Sequence, residues 1–497
     1  MITIQPIHKY DCDVLIAGGG PGGSSLAFYL AEKGIKTIVV ESQKFPRDKI
    51  CGDGVSPIAL AELQRLGITG SEEFSKANAI NKVGLFIEDQ KVMIDLTKPD
   101  YLPFHARIVP RLQLDNWIYE AAKKRGAVYL ENTRLCNYLI NENVVTAEVK
   151  QGRSTKKIKA KIIVGADGSS STVARILNDA KPLDQFQLLG LRAYYEGVNG
   201  PADRVDIFFS GDNFPGIYWM FPTGENAANI GLAMVAKTFP KNENHVKELL
   251  NNHIKNNKDI VERIGDGFIK GKISGWPLTF YNPKNKISDN RLLLIGDAAG
   301  LINPLSGDGI QYAVLSARWA SECIINCVEK NDFSSLALNA YTKKIEKELS
   351  YDFALSNLLI QFGRNKTFKP VWMEIMAVLI ERAQVDKDYA DIIAGIFEGT
   401  HPSYKALNAK FILKSLLQGG IHVGTNTASG ILKGPEHWNK KRKDISDLTG
   451  NIIKSIRDNP TDQVKWLGGV ARNTLNVGGH VIRNIIAKKD LQASPES

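Results

Sequence analysis

An α/β fold is predicted by three features: an apolar run that ends in a glycine turn, a later apolar run that ends in Gly-Asp, and a β-rich middle third between helix-forming stretches. The first feature is Asp13-Val-Leu-Ile-Ala-Gly18-Gly-Gly20-Pro-Gly-Gly23-Ser24-Ser25. It reads as a buried parallel strand over 14–17, a tight turn, and a helix over 26–33. Lys36-Thr-Ile-Val-Val-Glu41 supplies the next strand and an acid 23 residues after Gly18. That offset is close to the ~20 residues of a dinucleotide-binding βαβ unit.

Each residue of this unit has its own task. Gly18 permits the tight turn, Gly20 lets the backbone approach a pyrophosphate, and Gly23 lets helix and strand pack closely. The helix N-terminus offers N–H groups to phosphate charge. Glu41 can accept a hydrogen bond from a ribose hydroxyl, and its charge favours FAD or NAD over NADP at this turn.

Downstream, Phe45 to Pro57 forms a polar, glycine-punctuated loop of the kind that carries function, followed by a helix near 58–66. Residues 82–96 alternate like strands, 113–125 place Leu114, Trp117, Ile118 and Ala121 on one helix face, and 134–140 with 144–150 predict a hairpin turning at 141–143. Residues 158–164 lead into the turn Gly165-Ala-Asp167-Gly168. Strands dominate 186–280, where Tyr194, Tyr195, Phe208, Phe209, Tyr218, Trp219 and Phe221 could fill a core or line an apolar cavity. Arg291-Leu-Leu-Leu-Ile-Gly296-Asp297 reads as another buried strand. Pro304 to Ile310 then opens a helix over 309–329, and the chain beyond 346 is helical and amphipathic.

Composition narrows the class. A chain of 497 residues has room for two or three domains, and its 43% hydrophobic and 23% charged residues are ordinary for a globular protein. No apolar run reaches the ~18 residues of a membrane span, and residues 1–13 lack a signal-peptide core, so a cytoplasmic protein with at most peripheral membrane contact is expected. The cysteines at 12, 51, 136, 323 and 327 are odd in number and without CxxC spacing, and the eight histidines form no HExxH. Neither a disulfide framework nor a metal site is expected. Of the net charge of +10, much lies late: residues 401–497 hold 15 Lys or Arg against 7 Asp or Glu. The densest run, Lys440 to Lys443 after Trp438, suits a solvated face or an anionic membrane surface. It lies in no nucleic-acid-binding module, so a nucleic-acid partner is not favoured. Trp372–Leu379 and Phe411–Leu417 are candidate lipid-facing stretches that core packing would equally explain.

Together these segments resemble the FAD-dependent geranylgeranyl reductase family, within the p-hydroxybenzoate-hydroxylase type of flavoprotein, over about residues 11–345. Lys49-Ile-Cys51-Gly52-Asp53-Gly54 with Ser56-Pro57 is similar to that family's Cys-Gly loop beside the flavin. Gly296-Asp297 with Pro304, Gly307, Gly309 and Ile310 is similar to the second FAD motif. Asp167-Gly168 matches the central Asp-Gly motif, and Arg111 the FAD-contacting arginine before a helix. The resemblance implies FAD on the first glycine turn, Asp297 on its ribityl chain, and Ser24, Cys51, Gly52, Gly54, Asp167, Gly307, Gly309 and Ile310 lining the cofactor. It also implies Tyr218, Trp219, Phe221 and Pro222 in a substrate motif Tyr-x-Trp-x-Phe-Pro, whose first position is Ile217 here.

The implied fold is a Rossmann-like FAD-binding domain of the glutathione-reductase type (1–81, 104–185 and 285–345), an antiparallel β-sheet substrate domain (82–103 and 186–284), and a helical, basic C-terminal region (346–497). The implied reaction is hydride transfer from reduced flavin to a carbon–carbon double bond of a polyprenyl lipid, quinone or pigment, with Cys51 as candidate acid-base group. A flavin monooxygenase, epoxidase or halogenase is the alternative enzyme, and an FAD-containing membrane- or nucleic-acid-binding protein the alternative from another class. With a single GxGxxG, the reductant is expected to be NAD(P)H docking transiently, or a ferredoxin-like or quinol donor.

Overall fold

The computed structural model describes residues 10–239, 241, 245–405, 454 and 457–493. Its first layer is a five-stranded parallel sheet in the order Leu292–Leu294, Ser154–Gly165, Cys12–Ala17, Thr37–Val40, Val128–Leu130. Val14, Leu15 and Ile16 are fully buried, as a parallel strand covered on both faces requires. Each such side chain contributes ~1.5–3 kcal/mol on burial. The helices Pro21–Glu32, Arg111–Lys124 and Ile310–Lys330 pack together in one layer of this unit. The predicted hairpin is Thr133–Ile140 with Val145–Gln151, and a second turn pairs the latter with the N-terminal half of Ser154–Gly165.

The second layer is a seven-stranded sheet in the order Phe268–Thr279, Gln187–Glu196, Ala227–Val235, Gly216–Gly224, Arg204–Phe209, Lys82–Ile87, Gln90–Asp95. All its pairs are antiparallel except Arg204–Phe209 with Lys82–Ile87, whose parallel register runs from Arg204 opposite Lys82 to Phe209 opposite Ile87. The chain enters this sheet early, leaves it to add Val128–Leu130 and Ser154–Gly165 to the parallel sheet, returns, and adds Leu292–Leu294 to the parallel sheet last. One face is sealed by the helices Val246–Asn256 and Lys258–Ile264 through Phe208, Tyr218, Met220, Ile230 and Leu250. The other carries Ile207, Val205, Ile217 and Phe221, and packs with residues of the helices Lys369–Val385 and Lys387–Glu398.

The boundary expected at 345/346 falls inside one continuous helix, Ser335–Gly363. Its first half closes the parallel sheet, with the Tyr341 hydroxyl donating to the Leu294 carbonyl at 2.8 Å. Its second half receives the helix Pro460–Ala493: Trp466 donates its indole N–H to the Gln361 carbonyl at 2.9 Å, and the Asn365 amide donates to Gln463 at 2.8 Å. Met373 of the stretch Trp372–Leu379 is core, and Met376, Ala377 and Leu379 pack against the same cluster. Phe411–Leu417 and the basic run Lys440–Lys443 lie outside the described residues. Among the described residues no helix is long and apolar enough to cross a membrane.

Candidate functional site

One cavity joins the two sheets. Its polar end is walled by Gly20, Pro21 and Gly22, the loop residues Lys49 to Gly52, Arg111, Asp297, and Ser306 to Ile310. Its apolar end is walled by Val205, Ile207, Ile217, Trp219, Phe221 and the C-terminal residues Ala394, Phe397 and Glu398.

The glycine turn is shaped by close crossings. Gly18 has φ +98°, and a Cβ there would lie 2.3 Å from the Ala166 carbonyl oxygen. A Cβ on Gly23 would lie 1.9 Å from the Gly18 oxygen. Gly20 differs: the nearest atom to its added Cβ is the Arg47 guanidinium at 3.5 Å, so protein packing alone does not require glycine there. The helix that begins at Pro21 has no side-chain cap, and the helix that begins at Ile310 has none from its N-cap residue Gly309, although the Asp308 carboxylate accepts from the Gln311 N–H at 3.4 Å. Both N-termini face this cavity with orphan N–H donors and positive dipole ends. Gly168 and Gly307, at φ +76° and +71°, have open space where a Cβ would stand. An uncapped helix end at Pro21, a second helix N-terminus at Ile310 and bare backbone around one cleft fit a dinucleotide with a pyrophosphate and a polar ring edge.

Several predicted residues reach the cavity through others. Glu41 is buried at the strand end and accepts from the Gly19 N–H at 2.9 Å and the Gln43 N–H at 3.0 Å, fixing the turn. The Ser24 hydroxyl donates to the Gly19 carbonyl at 2.8 Å and accepts from Tyr129 at 2.9 Å. Arg111 lines the cavity, clamped by Asp115 through bonds of 2.6 and 2.8 Å. Burial works against its charge, and Asp115 more than restores it. Asp297 meets the Lys49 ammonium at 2.9 Å. Burial would raise this carboxyl, but Lys49 outweighs it and holds the group below the ordinary carboxylate range.

Three expectations are corrected. Asp167 does not line the cavity: its carboxylate accepts from the Thr172 N–H at 2.7 Å and the Ser171 hydroxyl, at the start of helix Thr172–Leu177. It is the backbone of Ala166 and Gly168 that faces the cavity. Tyr218 lies on the opposite face of its sheet, because strand side chains alternate. Its ring stacks on His253 at a 3.6 Å centroid separation, and its hydroxyl donates to Asp212 at 3.2 Å. Ile217, Trp219 and Phe221 are the cavity residues of that strand. Pro222 is not among them; its carbonyl accepts from the Asn78 amide at 2.7 Å.

Cys51 and Gly52 face the aromatic strand. A Cβ on Gly52 would come within 3.1 Å of the Phe221 ring and 3.5 Å of the Trp219 indole nitrogen, so glycine lets the loop lie on these rings. Burial pushes the Cys51 thiol up, Arg111 pulling it back only in part, so it stands as a neutral thiol at pH 7. Beneath the loop is a network that sequence reasoning did not find. Asn229, fully buried, accepts from the Trp219 indole at 2.9 Å and donates to the Cys51 carbonyl at 2.7 Å and to Asp53 at 2.8 Å. Tyr194 donates to the same Asp53 oxygen at 2.7 Å. The other oxygen of Asp53 has no partner, and burial pushes this carboxyl up to about 6 against the pull of Tyr194 and Asn229. Asp53 also takes φ +66°, a conformation that Asp and Asn tolerate best among side-chain-bearing residues. Glu398, likewise unforeseen, lines the apolar end and accepts one bond, from the Ala106 N–H at 3.3 Å.

Fold and cleft define a flavoprotein: a dinucleotide-binding α/β unit opened toward a substrate sheet. The chain belongs to the FAD binding domain family, whose model matches residues 11–345. It is 29% identical over 317 residues to the menaquinone reductase of Mycolicibacterium smegmatis, covering 62% of this chain and 75% of that protein. It is 27% identical over 350 residues to digeranylgeranylglycerophospholipid reductase 2 of Methanopyrus kandleri, covering 69% and 84%. The crystal structure of a geranylgeranyl bacteriochlorophyll reductase-like protein from Thermoplasma acidophilum superposes with a TM-score of 0.63 at 22% identity, over 82% of this chain and 95% of that one. Flavin-dependent halogenases share the fold as well. The expected resemblance to geranylgeranyl reductases is thus met in sequence, and the PHBH-type α/β fold in structure.

Proposed function

We propose that this protein is an FAD-dependent reductase that saturates carbon–carbon double bonds in a polyprenyl chain carried by a lipid or quinone. The observation that carries this reading is the continuity of the cavity. A polar cleft suited to a flavin opens directly onto a wall of Ile207, Ile217, Trp219 and Phe221 that a long apolar chain can line. The names of the relatives, reductases of menaquinone and of a digeranylgeranyl lipid, support the same class of substrate.

When bound, FAD supplies the hydride. The pyrophosphate is assigned to Gly20–Gly22 and the helix behind it, the ribityl chain to Asp297, and the ring edge to Gly307–Ile310. Trp219, Phe221 and Gly52 would line the acceptor's side of the cavity and exclude water from it, with the neutral Cys51 thiol in the same wall. The reductant is NAD(P)H docking transiently, or a ferredoxin-like or quinol donor. The seven-stranded sheet serves as the substrate domain, and the basic C-terminal region provides peripheral contact with the cytoplasmic face of a membrane from which the apolar substrate is drawn.

The test is anaerobic. Photoreduced holoprotein mixed with geranylgeraniol or a menaquinone in detergent should be reoxidised, yielding product heavier by two hydrogens per bond reduced. Reoxidation that requires oxygen, with product gaining one oxygen or halogen atom, would transfer the protein to the monooxygenase and halogenase class. Purified protein with no affinity for FAD would refute both.

A further inference from the structure

The helix Lys387–Glu398 ends at the cavity. Gly399, at φ +81°, turns the chain away: a Cβ there would lie 2.7 Å from Gln311, 3.2 Å from Asp308 and 3.2 Å from Ser56. These neighbours belong to the second glycine motif and the Cys-Gly loop, so Glu398 stands where the cofactor end and the apolar end meet. The residue is more than nine-tenths buried, in a cavity wall that also holds Ala394, Phe397, Ile80 and Ile108. One carboxyl oxygen accepts from the Ala106 N–H; the other has no hydrogen-bond or ion-pair partner among the described residues. An acid in an apolar wall with one oxygen free is costly to keep unless it is neutral or has work to do.

We propose that Glu398 is the acid that donates the proton when the double bond is reduced. The assignment rests on the reductase reading. One alkene carbon receives the hydride with its electron pair from the reduced cofactor. The other forms its C–H bond with the Glu398 proton through the former π pair. The alkene gains two electrons, the cofactor loses two, and Glu398 is left as a carboxylate that is reprotonated from solvent. Burial raises this carboxyl to about 7, and the Ala106 N–H opposes that only in part. The charged groups on the neighbouring elements have partners of their own. Arg107 donates through one terminal nitrogen to the Phe74 and Ala77 carbonyls, its Nε being without a partner, Lys49 holds Asp297, and Asp308, itself raised to about 6 by burial, accepts from the Gln311 N–H. His105 is lowered by burial and then by Lys98. Among the described residues no cation opposes the effect of burial on Glu398.

Glu398→Gln tests this in FAD-loaded protein. Geranylgeraniol binding to oxidised wild type, read by Trp fluorescence, should weaken about tenfold as pH rises from about 6 to about 8.5. In E398Q most of that weakening should disappear, and infrared difference spectra over that range should lose one carboxyl band. Single-turnover reoxidation should fall at least 100-fold, the low end of general acid effects. Equal reoxidation of E398Q and wild type would overturn the assignment and leave the reductase reading standing. Wild type that geranylgeraniol and menaquinone both fail to reoxidise would overturn the reductase reading, and the proton-donor role with it. If E398Q loses the FAD spectrum, Glu398→Asp takes its place: it must bind FAD and substrate normally yet turn over at least tenfold more slowly, and turnover at the wild-type rate refutes the role.

Discussion

Replacing Asp53 by Asn removes a charge from the one place where the loop beside the cofactor has a buried, half-satisfied carboxylate. Asn suits the site: it tolerates φ +66° and keeps an oxygen for the Tyr194 and Asn229 donors. In the folded protein Asp53 ionises at about 6, against 3.8 when exposed. The folded state therefore binds more protons than the unfolded state between these values. Asp53 contributes stability that is complete below pH ~4 and lost as pH rises through ~6. At 1.36 kcal/mol per pH unit the loss is about 3 kcal/mol. The variant lacks this pH dependence but carries a constant cost of ~1–3 kcal/mol, because its amide nitrogen occupies the unpartnered position of the Asp53 oxygen. The informative quantity is therefore the slope of the difference. Melting temperatures of variant and wild type, each saturated with FAD, should move apart in favour of Asn by about 3 °C between pH 4 and pH 7. A difference that stays flat over that range, or tilts toward wild type as pH rises, would refute the burial argument.

Gly20→Ala should fold and melt near wild type yet purify colourless, because its Cβ meets only Arg47 at 3.5 Å and would stand where a pyrophosphate is proposed; Gly23→Ala should fail to fold, with Gly18 oxygen 1.9 Å from the new atom. Absorbance at the flavin band and circular dichroism separate the two outcomes. Lys49→Ala should cost ~1–3 kcal/mol at pH 7, discounted for the partial exposure of the lysine, because it strands the Asp297 carboxylate. The lowered ionisation of Asp297 contributes stability that is present above pH ~4 and lost as pH falls through its folded value, so the melting gap should narrow toward acid. Ile217→Trp should fill the apolar end and weaken geranylgeraniol binding roughly tenfold, about 1.4 kcal/mol, while FAD titrations remain unchanged.

How far the site could be read from sequence depended on whether its constraint was local. Gly18 and Gly23 were legible because a positive φ and a close crossing can be met by one residue type, and the strand before them because three consecutive apolar residues vanish from solvent. The Asp297 motif was legible in the same way. Asp167 was legible as a motif and misread as a contact: its carboxylate is used within the chain, where the ordering of helix Thr172–Leu177 requires an acceptor. Tyr218 was placed at the cavity because a motif is contiguous in sequence, although the pleat sends every second side chain to the other face. The Asp53, Tyr194 and Asn229 network left no signal at all. Its members lie 141 and 176 residues apart, and each alone is an ordinary polar residue in a strand or loop.

The same distinction explains why the C-terminal region gave no reading, and why it matters to the site. An amphipathic helix reports only that one of its faces is buried, not what it is buried against. Here the face of Lys387–Glu398 is buried against the substrate sheet, and its last turn closes the cavity opposite Ile217 and Phe221. The preceding helix, Lys369–Val385, fills the neighbouring part of that face, and both are reached only through the single long helix that began by sealing the parallel sheet. A dinucleotide unit and a β-sheet alone would leave the apolar wall open to water. The proposed reduction of a double bond would need that wall closed, because the proton and the hydride would both have to arrive without competition from solvent. The helices after residue 346 thus complete the apolar end of the cavity. Truncating the chain there should leave a sheet face exposed and prone to association, rather than a smaller working enzyme.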